Sequence, residues 1–189
     1  MPKPPILETI DWSATYDSGV DFDTWLTQGE SEDNIKMMKD IRENQVLDDA
    51  TLEQLSAITK PASVVAIAED WCPDVVRHAP ILQKICDQSE HLNVRYLTRE
   101  TGKDIFVRFL TNGGEAIPKF VFLSDQWVEC GNWGPMTQAF RDLISRGKAC
   151  GDVMAARMII HEAYMGETVR ADVVEELMHH ILIATAESV

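Results

Sequence analysis

Val64-Val65-Ala66-Ile67-Ala68-Glu69-Asp70-Trp71-Cys72-Pro73-Asp74-Val75-Val76-Arg77-His78-Ala79-Pro80-Ile81-Leu82 is the stretch on which the reading of this chain turns. Its first five residues form a continuous apolar run, short, rich in branched side chains and stopped by Glu69-Asp70. Such a run suits a central strand buried on both faces. From Pro73 to about Gln88, Val76, Ala79, Leu82 and Ile85/Cys86 recur at helical spacing, and Asp74 falls in the first turn, where negative charge suits the helix dipole. Cys72 therefore stands between the end of a buried strand and the start of a helix. Unpaired backbone N–H groups and the positive helix end favour a thiolate there, and cysteines so placed reach pKa values of roughly 3.5–7.5. The carboxylates of Glu69, Asp70 and Asp74 work against that shift.

Outward from this junction the pattern is strand, helix, strand, helix, strand, strand, helix. A second strand is expected at Asn93–Leu97 and a helix over Asp104–Leu110, broken by Gly113-Gly114. Lys119–Leu123 and Trp127–Cys130, joined by Ser124-Asp125-Gln126, predict an antiparallel hairpin, with a helix over Met136–Ser145 behind it. Upstream, Phe22, Trp25 and Leu26 suggest one helix, Ser31 caps a second carrying Ile35, Met38 and Ile41, and Asp49 caps a third carrying Leu52, Leu55 and Ile58. Downstream, helices are expected over Asp152–Met165 and Val169–Ala184. Their apolar residues, among them Met154, Met158, Ile159, Met165, Leu177 and Ile181, need cover from the parent domain or from a second copy, so a homodimer through the C-terminal helices is one expectation.

The 189 residues include 45% hydrophobic and 25% charged residues, the mixture of a folded chain. A formal net charge of -14 repels phosphate backbones and anionic lipid surfaces, so neither nucleic acid nor membrane is expected as a partner. Met1-Pro2-Lys3-Pro4-Pro5 lacks the apolar stretch of a signal peptide, and a cytoplasmic location is expected. Cys72, Cys86, Cys130 and Cys150 are dispersed without paired spacing, which predicts free thiols and neither a zinc site nor a disulfide scaffold. His179 and His180 are neighbours and face different directions on a helix, so no metal ligation is expected of them, and no cofactor is indicated. Cys86 fits the apolar face of its helix and reads as core.

The quoted segment resembles the thioredoxin family, whose active-site stretch reads AEWCGPCKMIAPIL. Trp71, Cys72, Ala79, Pro80, Ile81 and Leu82 match in register, and the Trp-Cys-Pro-Asp start resembles relatives with WCPDC. Ala116-Ile117-Pro118 before the Phe120–Leu123 strand resembles the family's Ile-cis-Pro loop, and Gly134 falls where the family has a glycine lining the substrate groove. Asp70-Trp71-Cys72-x-Asp74, Leu110-Thr111-Asn112-Gly113, Ile117-Pro118 and Trp133-Gly134-Pro135 are together similar to a group of bacterial thioredoxin-like proteins with a single-cysteine WCxD motif. The resemblance implies an α/β fold, a three-layer α/β/α sandwich over residues 50–146. A helical segment over 1–49 would precede it, and a helical pair over 147–189 would follow. It also implies Cys72 as the reacting group, with Trp71, Pro73, Asp74, Ile117, Pro118 and Gly134 as the substrate-binding surface. Lys119 and Trp133 would flank that groove.

The departures bear on chemistry. Val75 stands where a dithiol thioredoxin has the second cysteine that resolves the mixed disulfide, and Ala66 stands where the family has its buried acid. Cys86, 14 residues along the same helix, would be about 21 Å from Cys72 and is no substitute. His78 lies too far round the helix to serve as a base. Three functions fit the residues: a one-cysteine thiol–disulfide oxidoreductase acting on a protein or small-molecule disulfide with a low-molecular-weight thiol such as glutathione as resolver; a redox-silent module that binds an extended peptide; and a peroxide sensor.

Overall fold

The computed structural model describes residues 7–164 and 168–188. Its centre is a four-stranded sheet in the order β2-β1-β3-β4, built from β1 (Ala62–Ile67), β2 (Leu92–Leu97), β3 (Lys119–Ser124) and β4 (Glu129–Trp133). β1 pairs parallel with β2 and antiparallel with β3, which pairs antiparallel with β4. The parallel β1–β2 pair needs a crossover, and the chain between them supplies the long helix. This is the expected α/β thioredoxin-like sandwich with helical extensions.

Numbered in chain order, the helices before β1 are α1 (Trp12–Asp17), α2 (Phe22–Thr27), α3 (Glu32–Asn44) and α4 (Asp49–Ser56). Each begins on a side-chain cap: Asp11, Asp21, Ser31 and Asp48 accept the N–H of Ala14, Thr24, Asn34 and Thr51. The cap of α4 is Asp48, one residue before the expected Asp49, and α1 was not anticipated from the sequence. These helices are not a separate unit, because Trp12, Phe22, Trp25, Leu26 and Met38 belong to the same hydrophobic core as the strands. Val20 and Tyr96 pair in an antiparallel bridge that ties the α1–α2 connection to β2.

α5 (Pro73–Cys86) crosses between β1 and β2 and is buried along most of its length, against the sheet on one side and α3 on another. Tyr96 on β2 points at it and donates its hydroxyl to the carbonyl of Ala79 at 3.4 Å. Arg42 on α3 grips Asp87, the C-cap of α5, through two hydrogen bonds of 2.7 and 3.1 Å. α6 (Lys103–Phe106) is shorter than expected, because after it Arg108 and Phe109 bond back three residues rather than four and the helix decays into turns.

The last three helices depart most from the sequence reading. α7 (Gln138–Cys150) buries only Gly147 and packs chiefly on α8 (Val153–Ala163). α9 (Thr168–Ala184), rather than α7, lies on β3, β4 and α5 and closes that layer of the sandwich. Val173, Val174, Leu177, Met178 and Ile181 of α9 are buried, whereas Met154, Met158 and Ile159 of α8 are exposed. Met165 lies outside the described residues. Glu176 of α9 accepts hydrogen bonds from the Trp133 indole N–H at 2.6 Å and from the backbone N–H of Gln138 at 2.8 Å, so one carboxylate ties β4 and caps α7. Among the described residues no helix is long and apolar enough to cross a membrane.

His78 of α5 sits in the seam this creates. It is buried edge-on to Trp133, 5.1 Å between centroids, with Nδ1 3.1 Å from the Pro135 carbonyl and Nε2 3.2 Å from the Tyr164 hydroxyl. Burial, together with the charge of Arg77, brings its pKa down from 6.5 to about 3, against the upward pull of the Pro135 hydrogen bond. The folded imidazole is therefore neutral, with its proton on Nδ1 donated to Pro135 and Nε2 accepting from Tyr164.

Two outcomes are expected. Truncation after Lys148 removes the buried α9 side chains Val173, Val174, Leu177, Met178 and Ile181 together with Ala184. At roughly 1.5–3 kcal/mol for each of the larger side chains that loss matches or exceeds a typical total stability of about 5–15 kcal/mol, so the truncated chain should lose cooperative unfolding by circular dichroism and bind hydrophobic dye. Below pH 6.5 the unfolded chain takes up the proton His78 refuses, so stability should fall as pH drops from 6.5 toward about 3. Urea melts across that range should show a shallower fall in His78→Gln than in the unmodified protein.

Candidate functional site

The site begins where β1 ends. After Ala68 the chain turns through Glu69-Asp70-Trp71, and both carboxylates of the turn are used internally. Asp70, buried, accepts the backbone N–H groups of Glu30 and Ser31 at 2.8 Å each, and its own carbonyl receives the Asn34 side-chain amide at 2.9 Å. Gly29 must be glycine for this approach, since a Cβ there would stand 2.9 Å from the Asp70 carboxylate. Glu69 accepts the backbone N–H of Arg99 at 2.7 Å, and the Arg99 guanidinium pairs with Glu115 at 2.7 Å. The strand-to-helix turn is thereby pinned from the N-terminal helices on one side and from the β2 end on the other.

Cys72 is the N-cap residue of α5, with extended backbone and Pro73 at the first helical position. Only 9% of Cys72 is exposed, and its thiol donates to the Ile117 carbonyl at 3.5 Å. Burial pushes the thiol pKa up from its ordinary value. The backbone N–H groups of Val75 and Asp74 in the first turn of α5 pull it down, the Asp74 charge raises it and Arg77 lowers it. The sum is upward, so desolvation outweighs the helix terminus and the resting group is a protonated thiol. Asp74 is itself raised by burial, with Arg77, 3.7 Å away, opposing.

Facing Cys72 is the loop before β3. The Ile117–Pro118 peptide bond is cis, as is Gly134–Pro135. Gly134 has a φ of 114°, and a Cβ there would collide with the Pro118 carbonyl, so the two loops can lie together only with glycine at this position. The Gly134 carbonyl accepts from the Lys119 ammonium at 2.8 Å and from Arg141 at 3.1 Å, which locks the pair of loops. Cys72, Ile117, Pro118 and Gly134 thus form a buried floor, Pro73 and Asp74 a rim, and Trp71, 54% exposed, the open edge.

Lys119 and Trp133 do not flank an open groove. Lys119 is 3% exposed, spends its ammonium on Gly134, and has its pKa brought down to about 8 by burial and by Arg141. Trp133 stacks on Phe120 at 5.5 Å inside the core. Cys130 sits near the end of the hairpin remote from Cys72, since its neighbour Glu129 pairs with Leu123 while Trp133 pairs with Phe120. Cys86 is buried on α5, its pKa pushed up to about 12 by burial and by Asp87. His180 stacks on Phe122 at 5.1 Å beside His179.

Tyr164, at the C-cap of α8, escaped sequence reasoning altogether. Arg77 lies over its ring at 4.4 Å, and burial, together with the charges of Asp74 and Cys72, raises the phenol pKa despite Arg77. No signal in the sequence joins residue 164 to residue 77, because only the folding back of α7–α8 brings them together.

No curated protein matches the sequence. The structure is similar to that of a protein of unknown function from Pseudomonas aeruginosa, with a TM-score of 0.67 and 17% identity over 92% of this chain and 98% of that one. It is also similar to an HIV epitope-scaffold, with a TM-score of 0.68 and 18% identity over 91% of this chain and 98% of the other. The sequence matches the thioredoxin family over residues 19–157, well beyond half its length and across every element that builds the site. With a strand-to-helix cysteine facing a cis-proline loop on a four-stranded sheet, this chain belongs to the thioredoxin family.

Proposed function

We propose that this protein is a one-cysteine thiol–disulfide oxidoreductase of the single-cysteine WCxD kind, in which Cys72 is the nucleophile. The observation that carries the reading is the placement of Cys72 as the N-cap residue of α5, facing the cis Ile117–Pro118 loop with its thiol 3.5 Å from the Ile117 carbonyl. The Cys72 thiolate attacks one sulfur of a protein or small-molecule disulfide; that S–S bond breaks, a mixed disulfide forms, and the departing thiolate takes up a proton. A low-molecular-weight thiolate such as glutathione then attacks the substrate sulfur of the mixed disulfide, releasing the Cys72 thiolate and leaving that sulfur bonded to glutathione. Where the substrate is itself a glutathionyl adduct attacked at the glutathione sulfur, this product is oxidised glutathione, and otherwise a second thiol completes the reduction. Trp71, Pro73, Asp74, Ile117, Pro118 and Gly134 bound the space in which the partner lies, and the compartment is one that keeps thiols reduced, as in the cytoplasm.

A second reading, a redox-silent module that holds a peptide in the same groove, draws on one specific observation: the thiol is nearly buried and its pKa is raised. The two diverge in a single measurement. Incubation with oxidised glutathione, followed by peptide mass spectrometry, should give an adduct on Cys72 that is absent from Cys72→Ser. Its rate should climb about tenfold for each pH unit toward the ordinary thiol value of 9.0, with no plateau on the way. No adduct on Cys72 at any pH would refute the oxidoreductase and favour the binding module. Val75→Cys places a thiol one turn along the same helix, and mild oxidation of that variant should lower its free-thiol count by two.

A further inference from the structure

We propose that Tyr164 is the specificity-determining residue of the Cys72 site, a fixed wall across the first turns of α5 that admits slender disulfides to the thiol and holds bulky ones off. The inference rests on the reading of Cys72 as the reacting thiol. Tyr164 stands at the C-cap of α8, at the end of the α7–α8 hairpin, and its side chain meets α5 at Arg77 and His78. The Tyr164 ring is held from three directions. Arg77 stacks over it at 4.4 Å, the hydroxyl reaches His78 at 3.2 Å, and Phe140 of α7 meets it edge-on at 5.3 Å.

Asp74, Arg77 and His78 are spaced i, i+3, i+4 on α5 and share one face, which starts two residues from Cys72. Tyr164 covers that face from both sides of the site: Arg77 under its ring pairs at 3.7 Å with Asp74 on the rim, and His78 at its hydroxyl bonds the carbonyl of Pro135, next to Gly134 of the floor. The side by Trp71 is open. His78 cannot swing away, because its other nitrogen is engaged by the Pro135 carbonyl. A ring fixed through a hydrogen-bonded chain and a stacked cation yields less to an incoming group than an apolar contact of the same size would.

The test compares two reagents of one chemistry and different girth, N-ethylmaleimide and N-(1-pyrenyl)maleimide, on the full-length chain, with modification of Cys72 read by peptide mass spectrometry. Each rate is divided by that of free glutathione with the same reagent. Tyr164→Ala should raise the pyrenyl rate relative to the ethyl rate by about tenfold, the size of discrimination a single wall residue supplies. Tyr164→Trp, which keeps an aromatic ring and guards against loss of the fold, should lower the same ratio. A ratio unchanged in both variants, or two rates that rise by the same factor, would overturn the proposal, since the ring would then shield the thiol without sorting partners. Alkylation requires no disulfide exchange, so a protein that forms no glutathione adduct but shows the shifted ratio would refute the oxidoreductase and leave the wall standing.

Discussion

The enclosure of α5 governs this structure. A helix with apolar side chains around most of its circumference needs cover on more than the one face a sheet provides. Here the sheet takes one side, α3 another, and α9 a third. Each covering element is fastened by a polar contact as well as by packing: Arg42 to Asp87 for α3, and Glu176 to Trp133 and Gln138 for α9. The extensions at both ends of the chain are therefore components of the sandwich, which explains why one core runs from Trp12 to Ala184.

The same enclosure sets the chemistry of Cys72. A helix N-terminus offers unpaired N–H groups and favourable potential to a thiolate, worth on the order of 1 kcal/mol when exposed. Removing a sulfur anion from water works in the opposite direction, and here it is the larger effect. Ala66, which is fully buried, stands where the resemblance puts a buried acid, so that position supplies no carboxylate to take the thiol proton. Thiolate formation is left to the two backbone donors and Arg77, against burial and Asp74.

The polar groups around the site divide into those that build it and those left for a partner. Asp70 and Glu69, whose charges the sequence sets against a Cys72 thiolate, are consumed by backbone N–H groups of distant segments. Lys119 and Arg141 both donate to the carbonyl of Gly134, and Arg141 donates also to the Gln138 side chain. Buried polar atoms without partners are expensive, so such groups are occupied wherever the fold can reach them. What remains toward solvent is Trp71, Pro73 and the edge of Asp74.

Local order was legible in the sequence because its causes are local. The apolar run of β1, the Pro73 start and first-turn acid of α5, the Ser31 cap and the Ser124-Asp125-Gln126 turn after β3 each lie within a few residues of what they determine, whereas β4 runs over Glu129–Trp133 rather than the expected Trp127–Cys130. Cys72 at the strand-to-helix junction follows from the same short-range pattern. Tertiary structure alone decided which helix closes the sheet, since α7 and α9 both carry apolar residues and only the path of the chain assigns α9 to β3 and β4. It alone decided that Lys119 and Trp133 face inward, that Asp70 answers Glu30 and Ser31, and that Tyr164 meets Arg77 and His78. The sign of the Cys72 shift belongs with these, because a helix terminus is written in neighbouring residues, whereas desolvation is the sum of everything the fold brings within reach of the sulfur.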